Sequence, residues 1–284
     1  MAPFVIYFIL FTLKPIWGIR IAFYDYNFFK GIGGSEFVGF DNFLSFLQGP
    51  YFWRLLKNTL LINFYGLLFG FPMPIILAVL LNEVVHTRYK KTVQTITYLP
   101  HFISMVVVAG IVTNLLAPST GLINQIIDRL GGEKIYFLME PKYFRTIFTI
   151  MNIWKECGFD AIVYVSALSA LDQSLYEACI VDGGGKWKQF LHITLPGILP
   201  TIVIMFIMRI GNILNVGYEA IILLYQPTTY EVADVISTYV YRTGLSEGNY
   251  GLATAVSLFN SIIGVILVWL ANTASNKLVG QGLW

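Results

Sequence analysis

Five charged residues stand deep inside runs that are otherwise apolar. Lys155, Glu156 and Asp160 lie inside the run 145–170, and Arg209 and Glu219 inside the run 199–225. An ionised side chain near the middle of a bilayer costs about 2.5 to 3.5 kcal/mol on insertion scales, so several together facing lipid would cost on the order of 10 kcal/mol. They must face protein or water. At about 100° per residue, Asn152, Lys155, Glu156 and Phe159 share one side of a helix, and Arg209, Asn212, Val216 and Glu219 share one side of another. Two polar stripes bordering one cavity are expected. Carboxylates, amides and guanidinium groups can hydrogen-bond sugar hydroxyls, and aromatic rings such as Trp154, Phe159 or Tyr218 can stack on sugar rings. The basic members also suit uronic acids, because arginine meets a carboxylate through two parallel hydrogen bonds. A plainer use of Lys155, Glu156, Asp160 and Arg209 is internal ion pairing that locks helices together.

Bond-making chemistry has no such support. The sequence contains no G-x-x-x-x-G-K-[ST], no H-E-x-x-H and no G-x-S-x-G, so neither a nucleotide site nor a hydrolytic nucleophile is expected. Cys157 and Cys179 read as small packing residues. His86, His101 and His192 are scattered, with no carboxylate or cysteine at ligand spacing, and read as hydrogen-bonding residues of loops or helix ends. No metal, no catalytic residue and no cofactor bound by this chain is expected. Met205 and Met208 read as packing beside Arg209, and Trp17, Tyr24, Trp53, Tyr98 and Trp269 as interface anchors.

The elements that must carry these stripes follow from composition. With 284 residues, 56% hydrophobic and 12% charged, the chain has too little charge to coat a soluble globule. It reads as an all-α membrane protein in one domain, 1–284. Apolar runs long enough to span a bilayer fall at 3–24, 58–82, 98–118, 145–170, 199–225 and 251–275, giving six expected helices. The second, third and sixth carry no Asp, Glu, Lys or Arg and can face lipid. The first lacks a basic leader and a small-residue cleavage site and reads as a retained helix, with a polar tail expected ahead of Met1. The net charge of +2 points to no nucleic acid, and counting positive charges on the loops does not decide orientation.

Between the fourth and fifth runs lies "YEACIVDGGGKWKQFLHITLP", residues 176–196. Ser174 and Glu177 are spaced as a capping box, which predicts the start of a short helix. Asp182-Gly183-Gly184-Gly185 should stop it, since glycine enters left-handed conformations cheaply. Lys186 to Leu191 can form a second short helix, and Pro196 and Pro200 sit where the next span would begin. A helix-turn-helix lying flat between two spans is expected over 172–196.

The spacing of Glu177-Ala178-Cys179, Gly183, Ile193 and Leu195-Pro196 resembles the E-A-A-x3-G-x9-I-x-L-P signature of ABC importer permeases, with Cys179 in place of the second alanine. "VGFDNFLSFL" at 38–47, "FWRLLKNTL" at 52–60, "YLPHFIS" at 98–104 and "NYGLATAVSL" at 249–258 are similar to segments of the carbohydrate, maltose-like branch, and especially of permeases for oligosaccharides from acidic polysaccharides. The resemblance covers nearly the whole chain. It implies the type I ABC importer fold and a loop that couples to an ATPase. Glu177 and Ala178 would meet the ATPase, Asp182 and Gly183 would make the turn, and Trp187 and Phe190 would be apolar anchors. It also implies a second permease subunit, two ATPase subunits that hold ATP and Mg, an extracellular or lipid-anchored solute-binding protein touching loops 25–57 and 226–250, and a bacterial inner or plasma membrane with both termini cytoplasmic. Counted back from Glu177, Asn152, Lys155, Glu156 and Phe159 fall on the family's sugar contacts, as do Arg209, Asn212, Ile213 and Val216 on the next helix. The substrate so implied is an oligosaccharide, including one that carries uronic acids. Another solute, such as glycerol phosphate or a peptide, is the alternative within the family. An ion-coupled carrier using Glu156, Asp160 and Glu219 is the alternative outside it, though the sequence shows no repeated halves.

Overall fold

Without water in the hydrocarbon region, backbone amides and carbonyls must pair within the segment, so the apolar runs become helices. The computed structural model describes residues 2–283, apart from the side chains of Ala2, Leu278 and Val279. Met1, and with it the expected tail, lies outside the described residues. Among the described residues four helices are long and apolar enough to cross a membrane: α1 (Pro3–Phe23), α3 (Phe52–Glu83), α9 (Lys186–Gly211) and α12 (Tyr250–Val279). Between α1 and α3 lie a two-stranded antiparallel hairpin, with β1 (Tyr24–Asp25) paired to β2 (Glu36–Phe37), and the short helix α2 (Asp41–Leu47). Asn42 bridges the end of α1 by donating to the carbonyls of Ala22 and Tyr24 at 2.9 and 3.0 Å.

The expected third span, 98–118, is two helices rather than one. α4 (Thr87–Phe102) and α5 (Met105–Leu116) meet at 102°. Pro100 removes a backbone donor, and Ser104 begins the next helix as its N-cap, accepting from the amide of Val107. After α6 (Leu122–Arg129), the buried amide of Asn124 donates to the carbonyls of Leu116, Ala117 and Ile135, which folds this loop back on itself.

The central helix is α7 (Pro141–Ser169), 29 residues and so about 44 Å long. It packs on α3, α4 and α9. Gly158 makes the α4 contact possible, because a Cβ there would collide with the backbone carbonyl of Thr97. At one end of the bundle Ala78, Ala161, Tyr164, Leu168 and Ile198 form a core among α3, α7 and α9. Toward the other end Ile62, Phe144, Phe148, Met151, Val216 and Ile221 form a second. α9 crosses α12 where Gly264 lies against the backbone of Gly211, a close approach that small residues permit in membrane bundles.

Two expectations for the loop after α7 are corrected. Helix α8 (Gln173–Val181) is capped by Asp172, whose carboxylate accepts from the amide of Ser174 at 2.9 Å. Ser174 is therefore already inside the first turn, and the Ser174–Glu177 capping box does not form. That hydrogen bond holds the Asp172 carboxyl below its ordinary pKa. Lys186–Leu191 is not a separate flat helix either: it continues into the span as α9. A wide turn at Phe190–Thr194 precedes Pro196 and gives its ring room without breaking the helix, so Pro196 and Pro200 lie inside the helix and not at its start. At the far end, α9 stops at Gly211 and the chain turns before α10 (Tyr218–Leu224), so the expected run 199–225 is not one helix.

Candidate functional site

A cavity of about 500 Å³ opens between α3, α7, α9 and the turn that follows α9. Asn152, Glu156 and Asp160 line it from α7, Met205, Met208 and Arg209 from α9, and Asn212, Asn215 and Val216 from the turn. The third wall is α3, through Asn63, Gly66 and Phe71 among others. The absence of charge in this run had suggested a lipid-facing helix. What it carries instead is a small-residue and amide face, a signal legible in the spacing of Asn63, Gly66 and Gly70. Of the residues expected on the path, Asn152, Glu156, Arg209, Asn212 and Val216 meet at the cavity. Lys155, Phe159 and Ile213 are not among its lining residues. Neither are Glu219, nor Trp154 and Tyr218; Tyr218 stacks instead on Tyr241 with ring centroids 5.0 Å apart. Because α9 ends at Gly211, the helical register that placed Glu219 with Arg209 does not extend to it.

The polar groups are set in a definite pattern. Asn152 donates its side-chain amide to the carbonyl of Phe148 at 2.8 Å and Asn212 donates to that of Met208 at 3.1 Å, which leaves each side-chain carbonyl to accept from a ligand. Arg209 makes no hydrogen bond or ion pair among the described residues. Gly66 gives its guanidinium room, since a Cβ at Gly66 would stand 3.0 Å from Nη2. Glu156 is the opposite case. Lys155 Nζ lies 3.1 Å from its Oε1 and His101 Nδ1 2.6 Å from its Oε2. Lys155, only 8% exposed, also donates to the backbone carbonyl of His101 at 2.8 Å. The His101 ring stacks on Phe159 at 3.8 Å with planes 3° apart. Lys155 and Phe159 thus face the bend between α4 and α5 rather than the cavity. His101 had been read as lacking a carboxylate, because its partner is 55 residues away and no spacing rule reaches that far.

A second cavity, about 440 Å³, adjoins the first through Asn212 and Asn215 and is bordered by Asn260 and Trp269 of α12. The side-chain oxygen of Asn260 is buried with no hydrogen-bond partner among the described residues.

At the loop end, α8 closes with both hydrogen bonds of a Schellman motif: Gly184 N–H to the Cys179 carbonyl at 2.7 Å and Gly183 N–H to that of Ile180 at 3.0 Å. Gly183 takes φ +74°, a conformation that disfavours side chains. Tyr176 and Thr194 join the two arms through their hydroxyls at 3.0 Å, and Lys186 reaches Glu83 at the end of α3 at 2.8 Å. Glu177, Ala178 and Asp182 are exposed, and Glu177 has no side-chain partner among the described residues. Trp187, 70% exposed, stacks on Phe190 at 5.4 Å. Leu175, Ile180 and Val181 of α8 are also exposed, apolar residues that the motif alone did not mark.

The opposite end is closed by charge. Asp234, 2% exposed, meets Arg54 at 3.1 Å and Arg242 at 3.2 Å. Asn58 donates to the carbonyls of Glu231 and Asp234 and accepts from Arg145 at 3.0 Å. Burial alone would lower the Arg242 pKa, but the hydrogen bonds and charge of Asp234 outweigh it and raise it.

Sequence and structure comparisons agree with this architecture. Residues 55–279 match the family model "Binding-protein-dependent transport system inner membrane component". Protein LplB of Bacillus subtilis (strain 168) is 44% identical over 284 residues, spanning 100% of this chain and 89% of that protein. The polygalacturonan/rhamnogalacturonan transport system permease protein YteP of the same organism is 46% identical, over 99% of this chain and 88% of its own. A crystal structure of a bacterial alginate ABC transporter in complex with alginate pentasaccharide-bound periplasmic protein contains a chain 48% identical, with a TM-score of 0.90 over 99% of this chain and 94% of that one. With a family match over most of its length and relatives of this identity along all of it, the chain belongs to the inner membrane components of binding-protein-dependent transport systems, the permeases of ABC importers.

Proposed function

We propose that this chain is one of two permease subunits of an ABC importer for oligosaccharides that carry uronic acids. The observation that carries this reading is Arg209, a guanidinium that makes no hydrogen bond or ion pair among the described residues, facing a cavity whose asparagines offer free carbonyl acceptors. A carboxylated sugar supplies both the anion for the first and hydroxyl donors for the second. The relatives named above include a permease for polygalacturonan and rhamnogalacturonan and a transporter of alginate, both acidic polysaccharides.

The four long apolar helices, the bent pair α4–α5 and the charged α7 make six spans. An even number returns both termini to the side of α8, and the Lys186–Glu83 ion pair sets the two short loops on that same side. With α8 in the cytoplasm, its exposed apolar residues and Glu177, which has no side-chain partner among the described residues, form a surface for an ATPase subunit that holds ATP and Mg, while a solute-binding protein delivers substrate at the Asp234 end. Closure of the ATPases would rock α7 and α9, the two helices that wall the cavity and that α8 joins.

Uptake by the assembled transporter tests the substrate. Arg209→Ala should lower uptake of a uronate trisaccharide about ten-fold or more, in line with loss of a charged hydrogen-bond pair, while a neutral trisaccharide loses much less. Equal losses for the two sugars would remove the acidic substrate from the proposal.

A further inference from the structure

Asn260 carries a side-chain oxygen that accepts no hydrogen bond among the described residues, although the residue is only 7% exposed and lies in a membrane-spanning helix. A buried acceptor left unmatched loses its hydration without compensation, so a donor must reach it. The space from which one can come is the second cavity, of about 440 Å³, which Asn260 and Ser261 border from α12. Met208, Asn212 and Asn215 line this cavity and the first alike, so the two spaces adjoin. We infer that the second cavity is a saccharide subsite, and that it takes a neutral sugar unit linked to the uronate held at Arg209. The inference rests on the oligosaccharide reading above and narrows it to chains in which acidic and neutral sugars are neighbours.

The chemistry of the walls separates the two spaces. Glu156, Asp160 and Arg209 line the first, whereas among the described residues no charged side chain lines the second. What the second offers is acceptors. Ser261 donates its hydroxyl to the carbonyl of Ser257 at 2.9 Å and Asn212 its amide to that of Met208 at 3.1 Å, so the oxygens of both, with that of Asn260, are left to accept. A sugar hydroxyl supplies the donor that such oxygens need. A carboxylate can only accept, and finds neither a cation nor a match there. Trp269 borders the same cavity about 14 Å further along α12 and provides an indole on which a sugar ring can stack. Close packing builds the space. Gly264 lies against the carbonyl of Gly211, and a Cβ at Gly211 would collide with Val268, so the end of α9 is held against α12 and the asparagines of the following turn come to border the cavity of Asn260. Lipid is a poor occupant, because three amides and a hydroxyl would then face hydrocarbon.

The test is uptake by the complete transporter in proteoliposomes, using galacturonosyl-galactose and digalacturonate, two sugars that differ only in whether the second ring carries a carboxylate. Asn260→Leu removes the acceptor at similar volume. It should raise KM for galacturonosyl-galactose about three- to ten-fold, the effect of losing one hydrogen bond, and raise KM for digalacturonate less. Without sugar the thermal transition of the variant complex should not fall, because the oxygen it removes is unmatched. A lower transition, with KM changed equally for the two sugars, would assign the cavity to packing against another subunit and overturn the inference. Ser261→Cys, in a chain that also carries Cys157→Ala and Cys179→Ala, gives a second measurement independent of transport. A maleimide should label this cysteine, and galacturonosyl-galactose should protect it. No labelling, or labelling that the sugar leaves unchanged, would likewise overturn the inference. Transport of both sugars with no effect of Asn260→Leu strikes the subsite alone, whereas failure to carry either sugar strikes the proposed substrate on which it rests.

Discussion

Glu177 projects from α8 with no side-chain partner among the described residues, and this separates two uses of one carboxylate. Had it closed a capping box, its worth would have been local; Asp172 takes that position instead. Glutamine and alanine at 177 should therefore behave alike. Both are expected to lower transport about ten-fold, with ATPase activity no longer stimulated by substrate, as loss of an ion pair to a partner would do; normal transport by Glu177→Gln would rule out the ionic contact. Asp172 supplies the local effect. Its carboxyl is held below the ordinary value, so the stabilisation of α8 is fully present above the unfolded pKa and is lost as pH falls through the folded one. Asp172→Ala should speed amide exchange across α8 at neutral pH with little further change on acidification, whereas the unaltered loop should loosen only in acid.

Two elements carry strain or buried charge that single substitutions expose. The Schellman closure of α8 depends on Gly183 at positive φ, so Gly183→Ala should cost about 1 to 2 kcal/mol locally and misdirect Trp187 and Phe190. The readout is weaker co-purification with the ATPase while the permease still reaches the membrane. At the other end Asp234 ties the start of α3 to α11 (Ile236–Tyr241) and the turn that follows it, through Arg54 and Arg242. Asp234→Ala leaves two guanidinium groups without their carboxylate. Because each is about a third exposed, the loss should lie near the low end for buried pairs, about 3 kcal/mol. A thermal-shift measurement on the assembled complex checks this, and an unchanged transition would show that water fully replaces the carboxylate. The bend between α4 and α5 could be read partly from Pro100 and Ser104, but its angle could not. Those residues state that a helix is interrupted, while packing against α7 decides where the chain goes next.

At the scale of the molecule, α1 packs through its last turns while its earlier residues remain exposed, and so do Leu175, Ile180 and Val181 of α8. Lipid covers such a face on α1, a membrane span, whereas the exposed apolar residues of α8 lie outside any span and would be covered by a partner under the proposed function. Extraction of this chain alone should give an aggregating product, and coexpression with a second permease and an ATPase a monodisperse one; a stable monomer would contradict the assembly.

Some of this was determined by the sequence alone. The apolar runs, interrupted by charges too costly to meet lipid, require a helical membrane protein with an internal polar path, and the spacing around Glu177 resembles the signature of the family to which the chain belongs. Those are local properties, set by period, composition and the free energy of transfer into hydrocarbon. Which charges would be neutralised was decided by tertiary structure. Lys155 and Glu156 are neighbours in sequence, yet Glu156 faces the cavity and Lys155 faces away, because His101, at a bend more than fifty residues earlier, stacks on Phe159 of α7 and takes the Lys155 ammonium at its carbonyl. Likewise the uncharged α3 turned inward, since its small residues let α7 and α9 approach. Helical periodicity defines which residues share a face, but the neighbour each face meets depends on packing between segments far apart in the chain.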